Sequence, residues 1–481
     1  MIPLTIPILI PLLGSILIKL LWGIHPLRLP ILIIGPILSL IWSIKLYIDS
    51  PDNITNLITI FSELSISLSA EPIGLTFLLV VNTLWLIASF YSYGYMIKNN
   101  EKRLGNFFMF FSLAIAFANG AALSNNLLTL FIFYELLTII TYPLVTHKGD
   151  KESKRSGRIY LLTLLGTSLC FFLPAITYVY ILSGSLDFIS NGLLNNITNI
   201  TPISSLALSI LLVLFIFGIA KAAIMPFHSW LPAAMVAPTP VSALLHAVAV
   251  VKVGVFSIIK IIIYIFGIEI LSEIDFVDII IYLCGFTIIA SSIIALGQDN
   301  LKKMLAYSTI SQLSYVVIAL LILTPAGILA SNLHLMAHAI SKITLFFAAG
   351  AIYTATGLTK ISEINGIGYK LKVSMFAFTL GSLSLIGMPL LGGFVSKWYI
   401  IQSALTAQNL FIIFIITVST LLNIGYFAPI IYRAYFTENK SKIKLSPLPF
   451  SMNLAICLCC ILIVGLFFYP DIFIGGIQDA F

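Results

Sequence analysis

Long runs of apolar residues recur from one end of the chain to the other, and short polar segments separate them. Windows of 18 or more apolar residues appear repeatedly, long enough for a helix to cross the hydrocarbon core of a bilayer. The pattern therefore predicts an all-α polytopic membrane protein with about 14 transmembrane helices. The predicted spans are 2–22, 30–48, 73–97, 106–122, 126–147, 158–182, 204–226, 240–267, 276–297, 304–323, 326–356, 373–403, 409–436 and 450–470.

The composition excludes a soluble domain. Hydrophobic residues make up 60% of the 481 residues and charged residues only 9%. A water-exposed surface needs far more charge than this. The lipid bilayer is therefore the predicted environment of most of the chain.

The basic residues lie almost entirely on one predicted side of the membrane. Fourteen spans put both termini on the same side, and if that side is the outer one, the inner loops and adjoining helix ends hold 19 of the 25 basic residues. Because basic loops stay in the cytoplasm, this predicts a cell inner (plasma) membrane protein with both termini outside, and the net charge of +7 requires no nucleic acid. The 19 residues are Lys19, Arg28, Lys98, Lys102, Arg103, Lys148, Lys151, Lys154, Arg155, Arg158, Lys302, Lys303, Lys360, Lys370, Lys372, Arg433, Lys440, Lys442 and Lys444.

Two further lysines lie near the ends of predicted spans. Lys45 and Lys260 are close enough to the interface for a long side chain to reach the headgroups while its stem stays in the apolar layer. The sequence therefore predicts that both of them snorkel.

Five ionisable side chains lie in the middle of predicted spans 5, 7, 8, 11 and 12. An unpaired charge there costs roughly 2.5–3.5 kcal/mol on insertion scales, so these groups should face a polar interior. Burial favours the neutral form of a lysine and a nearby carboxylate favours the charged form, so such a set can exchange protons. The sequence predicts that they form a proton relay. The residues are Glu135, Lys221, Lys252, Lys342 and Lys397.

Three histidines extend this set. His334, His338 and Lys342 follow at four-residue intervals and share one helix face, and His246 precedes Lys252 in the eighth span. An imidazole donates a proton from one nitrogen and accepts one at the other, which suits a relay. The alternative is that these groups only join helices, which is less favoured for a set spread over five spans.

Metal and cofactor chemistry is not predicted. His334 and His338 have the i, i+4 spacing of zinc ligands, but no third ligand accompanies them. No phosphate-binding loop, dinucleotide fingerprint or cysteine spacing for an iron–sulfur cluster occurs. The sequence thus gives no sign of redox or nucleotide chemistry on this chain.

Proline and glycine interrupt two of the spans beside a buried lysine. Prolines follow Lys221 in the seventh span, and the segment from Gly387 to Gly393 precedes Lys397 in the twelfth. Broken helices near a midplane site are typical of transporters. The broken helices are the fourth in spans 4–8 and the fourth in spans 9–13, which predicts two repeats of five helices. Because five is an odd number, the two repeats would be inverted relative to each other in the membrane. The predicted units are residues 1–105, 106–267 (first repeat), 268–436 (second repeat) and 437–481.

The segment from Lys221 to His246, KAAIMPFHSWLPAAMVAPTPVSALLH, resembles the hallmark of the proton-translocating antiporter-like subunits. The segments HLMAHAISK, from His334, and LAYSTISQ, from Leu305, agree with it. That family includes membrane subunits of respiratory complex I, membrane-bound hydrogenases and Mrp-type Na+/H+ antiporters. The resemblance covers nearly the whole chain.

The resemblance implies a role for each matched residue. Glu135 pairs with Lys221 and tunes its proton affinity. Lys252 is the central relay group with His246 beside it, and the face of His334, His338 and Lys342 connects the halves. Lys397 is the terminal exchange site of the second half.

Lys397 also bears on which member of the family the chain is most similar to. The M-type subunit of complex I typically has a glutamate at this place, and L-type subunits carry a long C-terminal helix for which this chain has no room. The segment Tyr142–Gly149, the length and Lys397 are most similar to the D-type subunit of Mrp antiporters, although the N-type subunit of complex I fits the length and the lysine.

The prediction is therefore a proton-translocating subunit of a multi-subunit Na+/H+ antiporter, with other membrane subunits as partners and H+ and Na+ as the ions. The alternative is a proton-pumping membrane subunit of an NADH-quinone oxidoreductase or a membrane-bound hydrogenase. In that case the redox chemistry lies on other chains. A scaffold with inactive relay sites is disfavoured because every matched charge is present.

Overall fold

The computed structural model describes residues 3–61, 64–198, 203–438 and 445–478, and helices make up 78% of the chain. Lys440, Lys442 and Lys444, which the predicted orientation counts among the inner basic residues, lie outside the described residues. Within the described part, ten helices are long and apolar enough to cross a membrane. The chain is therefore a multi-pass membrane protein.

The first half of the chain begins with two helices and a hairpin and continues with longer helices. Its helices are α1 (Ile6–Leu21), α2 (Arg28–Asp49), α3 (Pro72–Lys98), α4 (Leu104–Ala122), α5 (Leu127–Val145), α6 (Lys151–Thr167), α7 (Leu173–Ser183), α8 (Leu193–Thr198), α9 (Ser205–Gly218), α10 (Trp230–Ala233), α11 (Thr239–Ala243) and α12 (Val250–Ile261).

The second half consists of helices joined by loops and turns, and no β-strand occurs among its described residues. Its helices are α13 (Ile268–Ser272), α14 (Phe276–Leu296), α15 (Leu301–Leu320), α16 (Pro325–Thr356), α17 (Lys372–Ile386), α18 (Gly392–Thr406), α19 (Leu410–Phe436), α20 (Phe450–Phe468) and α21 (Asp471–Gln478).

Side-chain caps fix where several of these helices begin. The Asn126 side chain accepts the Thr129 N–H at 2.8 Å, Asp150 accepts that of Ser153 at 2.7 Å, and Thr324 accepts that of Gly327 at 3.0 Å. Each cap satisfies one of the amide groups that the first turn of a helix leaves without a partner. The polar residues that punctuate the apolar runs therefore also start the helices.

A β-hairpin corrects the prediction of an all-α fold. Strands β1 (Thr55–Phe61) and β2 (Leu64–Leu68) pair antiparallel between α2 and α3. Alternating polar and apolar residues with Thr and Ile favour a strand in this short segment. The sequence prediction treated the segment as a loop because it is too short to span the membrane.

The hairpin packs on one end of the helices, and we call this the acidic end. The Asn125 N–H donates to the carbonyl of Ser67 in β2 at 3.0 Å, and the Phe188 N–H donates to the Asn125 carbonyl at 3.0 Å. The acidic end comprises the hairpin and the segments 123–126, 184–192 and 267–275.

The opposite end carries most of the described basic residues, and we call it the basic end. Asn99 donates to Thr354 Oγ1 at 2.9 Å there, and Asn300 pairs with Lys360 in a β-bridge. The basic end comprises the segments 99–103, 146–150, 234–238, 297–300 and 357–371.

Two helical paths are broken at the predicted places. After α9 ends at Gly218, a 3₁₀ turn at Ala220–Ala222 carries Lys221, and α10 starts only at Trp230. The second break separates α17, which ends at Ile386, from α18. In both breaks a non-glycine residue adopts a positive φ, Ala223 at 55° and Leu390 at 71°. Such backbone is costly, so the surrounding structure must hold it.

Helices of the π type add a form of irregularity that the sequence did not reveal. They occur at Ser168–Phe172, at Leu244–Val248 and at Ile262–Phe266. The second contains His246, and single π turns are common at functional sites because they re-aim side chains.

Two segments form the centre of the molecule. The most apolar stretches of Thr239–Phe266 and of α16 are completely buried inside the protein. A helix that is buried all round lies within the bundle and does not face lipid. These two segments carry five of the eight predicted site residues.

Candidate proton-relay site

Lys252 and His338 join the two central segments. The Lys252 ammonium contacts His338 Nδ1 and also donates to the Leu335 carbonyl at 3.0 Å. Both side chains are buried. When Lys252 is charged its ammonium can only donate, so Nδ1 of His338 is then the acceptor and the ring proton lies on Nε2. Two of the predicted relay groups are thus in direct contact across helices α12 and α16.

His334 continues the line towards Lys397. The rings of His334 and His338 are stacked with centroids 6.3 Å apart, and the Tyr315 ring stacks on His334 at 5.3 Å. His334 Nδ1 lies 2.9 Å from the Ser396 hydroxyl, and Ser396 directly precedes Lys397 in α18. The line from Lys252 therefore reaches the second helix break through histidines and hydroxyls.

Lys342 and His246 lie on the other side of Lys252. Lys342 donates to the Leu305 carbonyl at 3.1 Å. His246 is buried, and neither of its ring nitrogens has a hydrogen-bond partner among the described residues. It does interact electrostatically with Lys342, Lys302 and Lys252. Burying an imidazole without hydrogen bonds lowers the stability of the fold, but it leaves both ring nitrogens available for proton transfer.

Lys221 makes three contacts with Tyr134. Its ammonium donates to the Tyr134 carbonyl and lies 3.2 Å from the centre of the Tyr134 ring, and its backbone N–H donates to the Tyr134 hydroxyl at 3.3 Å. A cation over an aromatic face is stabilised by the ring quadrupole, which partly replaces lost hydration. Tyr134 is therefore the main partner of Lys221.

Glu135 follows Tyr134 in the chain but does not contact Lys221 directly. Within the described part of the chain, no ammonium–carboxylate distance of 4.0 Å or less joins the two. They are nevertheless close enough to interact electrostatically. That Glu135 tunes the proton affinity of Lys221 remains a prediction, and it would act through the field of its charge without a direct ion pair.

Lys397 has a similar environment in the second break. Its ammonium donates to the Ile386 carbonyl at 3.0 Å and to Thr420 Oγ1 at 3.2 Å, and lies 5.3 Å from the centre of the Tyr315 ring. The Ile386 carbonyl is at the end of α17, where the chain cannot supply an amide partner. Each broken path thus presents a lysine that binds a backbone carbonyl and a tyrosine face.

Two glycines allow the backbone to approach the breaks. A Cβ atom at Gly254 would lie 2.5 Å from the carbonyl carbon of Lys221, and one at Gly393 would lie 1.8 Å from the Ser384 carbonyl oxygen. No side chain fits either position without moving the backbone. Glycine therefore permits close packing at both breaks.

Lys260 shows that one prediction was wrong. Its side chain is completely buried and forms an ion pair with Glu71 Oε2 at 3.0 Å, so it does not snorkel. The ammonium also donates to the Ser124 carbonyl and lies 4.3 Å from the centre of the Phe188 ring. The position of Lys260 near the end of its helix suggested an interface, but the hairpin and the segments around it cover that end.

The sequence also missed the tyrosines and a cavity. Tyr134 and Tyr315 looked like ordinary core residues, although Glu135 follows the first and a polar stretch precedes the second. A cavity of about 370 Å³ opens at the basic end, between the end of α3, the start of α15 and the segment before α11. Lys302, which the sequence assigned to the basic surface, lines it.

Two further groups at the basic end have shifted pKa values. Burial raises the pKa of Glu101 above its usual value, against the opposing effect of Lys148 and Lys302. Burial and the nearby Arg103 lower the pKa of His147 to about 4, so His147 is neutral at pH 7. His147 Nε2 lies 3.9 Å from Glu101 Oε2.

These features define the class of the protein: a multi-pass membrane protein with a buried file of lysines and histidines between two broken helical paths. Residues 124–423 match the family described as NADH:quinone oxidoreductase/Mrp antiporter, TM. The chain belongs to that family.

Similar proteins come from both branches of the family. The chain is 31% identical to NADH-quinone oxidoreductase subunit N of Desulforudis audaxviator over 77% of this chain and 73% of that one. It is 30% identical to the putative antiporter subunit mnhA2 of Staphylococcus haemolyticus over 85% of this chain and 54% of that one. The chain thus spans about half the length of that antiporter relative.

Two solved structures share the fold over almost the entire chain. A subunit of the archaeal membrane-bound sulfane sulfur reductase aligns with a TM-score of 0.86 at 23% identity, covering 99% of this chain and 96% of that one. A subunit of the Mrp complex from a Dietzia species aligns with a TM-score of 0.85 at 18% identity and the same coverage. The fold is that of the Mrp and complex I membrane subunits.

Proposed function

We propose that the chain is the proton-translocating subunit of a Mrp-type Na+/H+ antiporter and that it is similar to the D-type subunit of such complexes. The observation that carries this proposal is the contact between Lys252 and His338 at the centre of a line of buried titratable groups. The line continues through His334 to Lys397 on one side, and through His246 and Lys342 on the other. Along such a line a proton can move in short steps between neighbouring titratable groups, so no single step carries the charge far through the apolar interior.

The proposed architecture has fourteen membrane-crossing segments with two inverted repeats, 106–267 and 268–436. Support comes from the matched environments of Lys221 and Lys397. Each lysine lies in the fourth segment of its predicted repeat and faces a tyrosine, Tyr134 or Tyr315, from the second segment. In this architecture residues 1–105 and 437–481 flank the repeats.

The proposed orientation places the basic end in the cytoplasm and both termini outside, in the cell inner (plasma) membrane. The support is the concentration of basic residues at that end of the helices. Protons would then be exchanged between the cytoplasmic and outer sides through the buried file, in exchange for Na+ moved by the complex.

A second candidate is a proton-pumping subunit of a redox-driven complex. The 31% identity to an NADH-quinone oxidoreductase subunit N favours it, since that alignment also covers most of the relative. Both candidates use the same buried groups. They differ in the partner subunits that supply the driving force.

Two experiments test the proposal. The tagged native complex is purified in mild detergent and its subunits are identified by mass spectrometry. Small hydrophobic companions and a larger antiporter-like chain would support the antiporter, whereas flavin- or iron–sulfur-binding subunits would make the chain part of a redox pump.

Transport by the Lys221→Ala and Glu135→Ala complexes in proteoliposomes tests the relay itself. We expect both variants to assemble, Lys221→Ala to lose proton transport and Glu135→Ala to slow it about tenfold or more. Normal proton flux in both would overturn the relay.

A further inference from the structure

The cavity at the basic end leads towards the buried file. Its outer wall holds the exposed Lys148 and Lys303, and its inner wall holds the partly buried Glu101 and Lys302. The volume of about 370 Å³ exceeds that of several water molecules. Exposure therefore falls in steps from the surface to Lys302.

Lys302 connects this cavity with helix α11. Its ammonium donates to the Ala237 carbonyl at 2.6 Å and lies 3.4 Å from the Ser242 hydroxyl, which is buried. The neighbouring Lys303 points outward and makes no such contact, although it belongs to the same turn. Only one of these two adjacent lysines therefore reaches the interior.

His246 lies one helical turn beyond Ser242. Both of its ring nitrogens lack a hydrogen-bond partner among the described residues, and Lys302 is close enough to interact with it electrostatically. The π turn at Leu244–Val248 carries the imidazole. A buried imidazole without partners next to a route from solvent is an acceptor for an arriving proton.

We propose that this cavity is the proton uptake site of the chain and that Lys302 passes protons through Ser242 to His246. This inference rests on the proposed function. The Lys302 ammonium gives a proton to Ser242 Oγ while the Ser242 hydroxyl proton passes through a water molecule to a nitrogen of His246, because no hydrogen bond joins the two side chains directly. Lys302 is left neutral and Ser242 is unchanged. A hydronium ion in the cavity or the protonated Glu101 carboxyl then gives a proton back to the neutral Lys302.

The same geometry makes the site selective for protons over Na+. The carboxylates of the lining share it with three lysines, and within the described part of the chain no group of three or more acidic, histidine or cysteine side chains could hold a metal ion. The ammonium group of Lys302 stands at the inner end and repels any other cation, yet it carries the proton itself. Na+ therefore crosses the complex elsewhere.

Substitution in the purified complex, reconstituted into proteoliposomes, tests the inference. We expect Lys302→Met to slow proton transport about 100-fold, the low end of what a positioned proton donor contributes. Lys370→Met, at an exposed lysine of the basic end that does not line the cavity, is the control and should transport at the wild-type rate. If Lys302→Met transports normally while Lys221→Ala does not, the uptake site is wrong and the relay stands. If the wild-type complex moves no protons, the proposed function itself fails.

Cysteine chemistry separates proton transfer from a structural role of Lys302. Lys302→Cys complexes are treated from the basic side with an aminoethyl methanethiosulfonate or with its trimethylammonium analogue, which is charged but has no proton on nitrogen. We expect the primary amine to restore transport and the quaternary amine not to. Equal rescue by both reagents would show that only the charge matters and would overturn the inference. The wild-type chain with its five native cysteines is treated in parallel.

Discussion

The two broken helical paths hold their lysines in the same way but surround them with different charges. Lys221 and Lys397 each bind a backbone carbonyl and face a tyrosine. Tyr134 is followed by Glu135, whereas Tyr315 is followed by the buried Val316. Lys397 instead uses the neutral hydroxyl of Thr420.

This difference distinguishes the contacts that keep a lysine buried from the group that affects its protonation. The carbonyl and the aromatic face are common to both halves, so they solve the problem of keeping an ammonium group inside the bundle. The carboxylate is present in only one half, so it is not needed for burial. In the proposed relay it would bias the protonation of Lys221 alone, so we expect the two halves to release their protons under different conditions.

The largest expected effect comes from replacing Lys221 or Lys397 by arginine, in two separate variants. Lys221→Arg and Lys397→Arg keep a positive charge that can bind the carbonyl and the ring, but a guanidinium group does not release its proton in proteins. We expect proton transport to fall by about 100-fold or more in each variant. Lys45→Arg, at an exposed position, is the control. Normal proton uptake in either variant would mean that the residue is only structural.

An intermediate effect is expected when the carboxylate is moved between the halves. Glu135→Gln removes the attraction that favours charged Lys221, and Val316→Glu adds such an attraction near Lys397. We expect the single changes to slow transport about tenfold and to move the pH dependence in opposite directions. The measurement is the initial rate of proton transport between pH 6 and 9. Identical pH profiles for the two variants would show that the carboxylate does not tune the lysines.

The smallest effect concerns the tyrosine hydroxyls. Tyr134→Phe loses the hydrogen bond from the Lys221 backbone N–H, at a cost of about 1 kcal/mol. The hydrogen bond that the Tyr315 hydroxyl donates to the Ile416 carbonyl is longer, at 3.5 Å, so we expect its loss in Tyr315→Phe to cost less. Thermal unfolding of the detergent-solubilised complexes measures both. A larger loss of thermal stability in Tyr315→Phe than in Tyr134→Phe would contradict this expectation.

The sequence predicted the membrane fold and the buried charges because both depend on composition within single spans. A lysine within an apolar run can be recognised as a buried charge whatever its neighbours are, and a proline next to it predicts a break in the helix. The contacts between spans could not be predicted in this way. Lys260 looked like an interfacial residue because its partner Glu71 is distant in the chain, and the hairpin that covers it has too few residues to stand out.

The tyrosines and the uptake cavity were hidden for a similar reason. An aromatic residue in an apolar helix carries no mark that distinguishes a cation partner from ordinary packing. Lys302 and Lys303 have the same sequence context, and only the position of helix α11 decides which of them turns inward.

The two glycines at the breaks limit how the protein can move. Gly254 and Gly393 each bring the backbone into direct contact with the backbone of the break, with no side chain between them. A shift of either break along its neighbour would bring an adjacent side chain into collision with this backbone. Large rigid rearrangements at these two points are therefore disfavoured. In the proposed transport cycle, we expect the switching of direction to come from rotations of long side chains and from changes in hydration, while the backbone at the two breaks keeps its position.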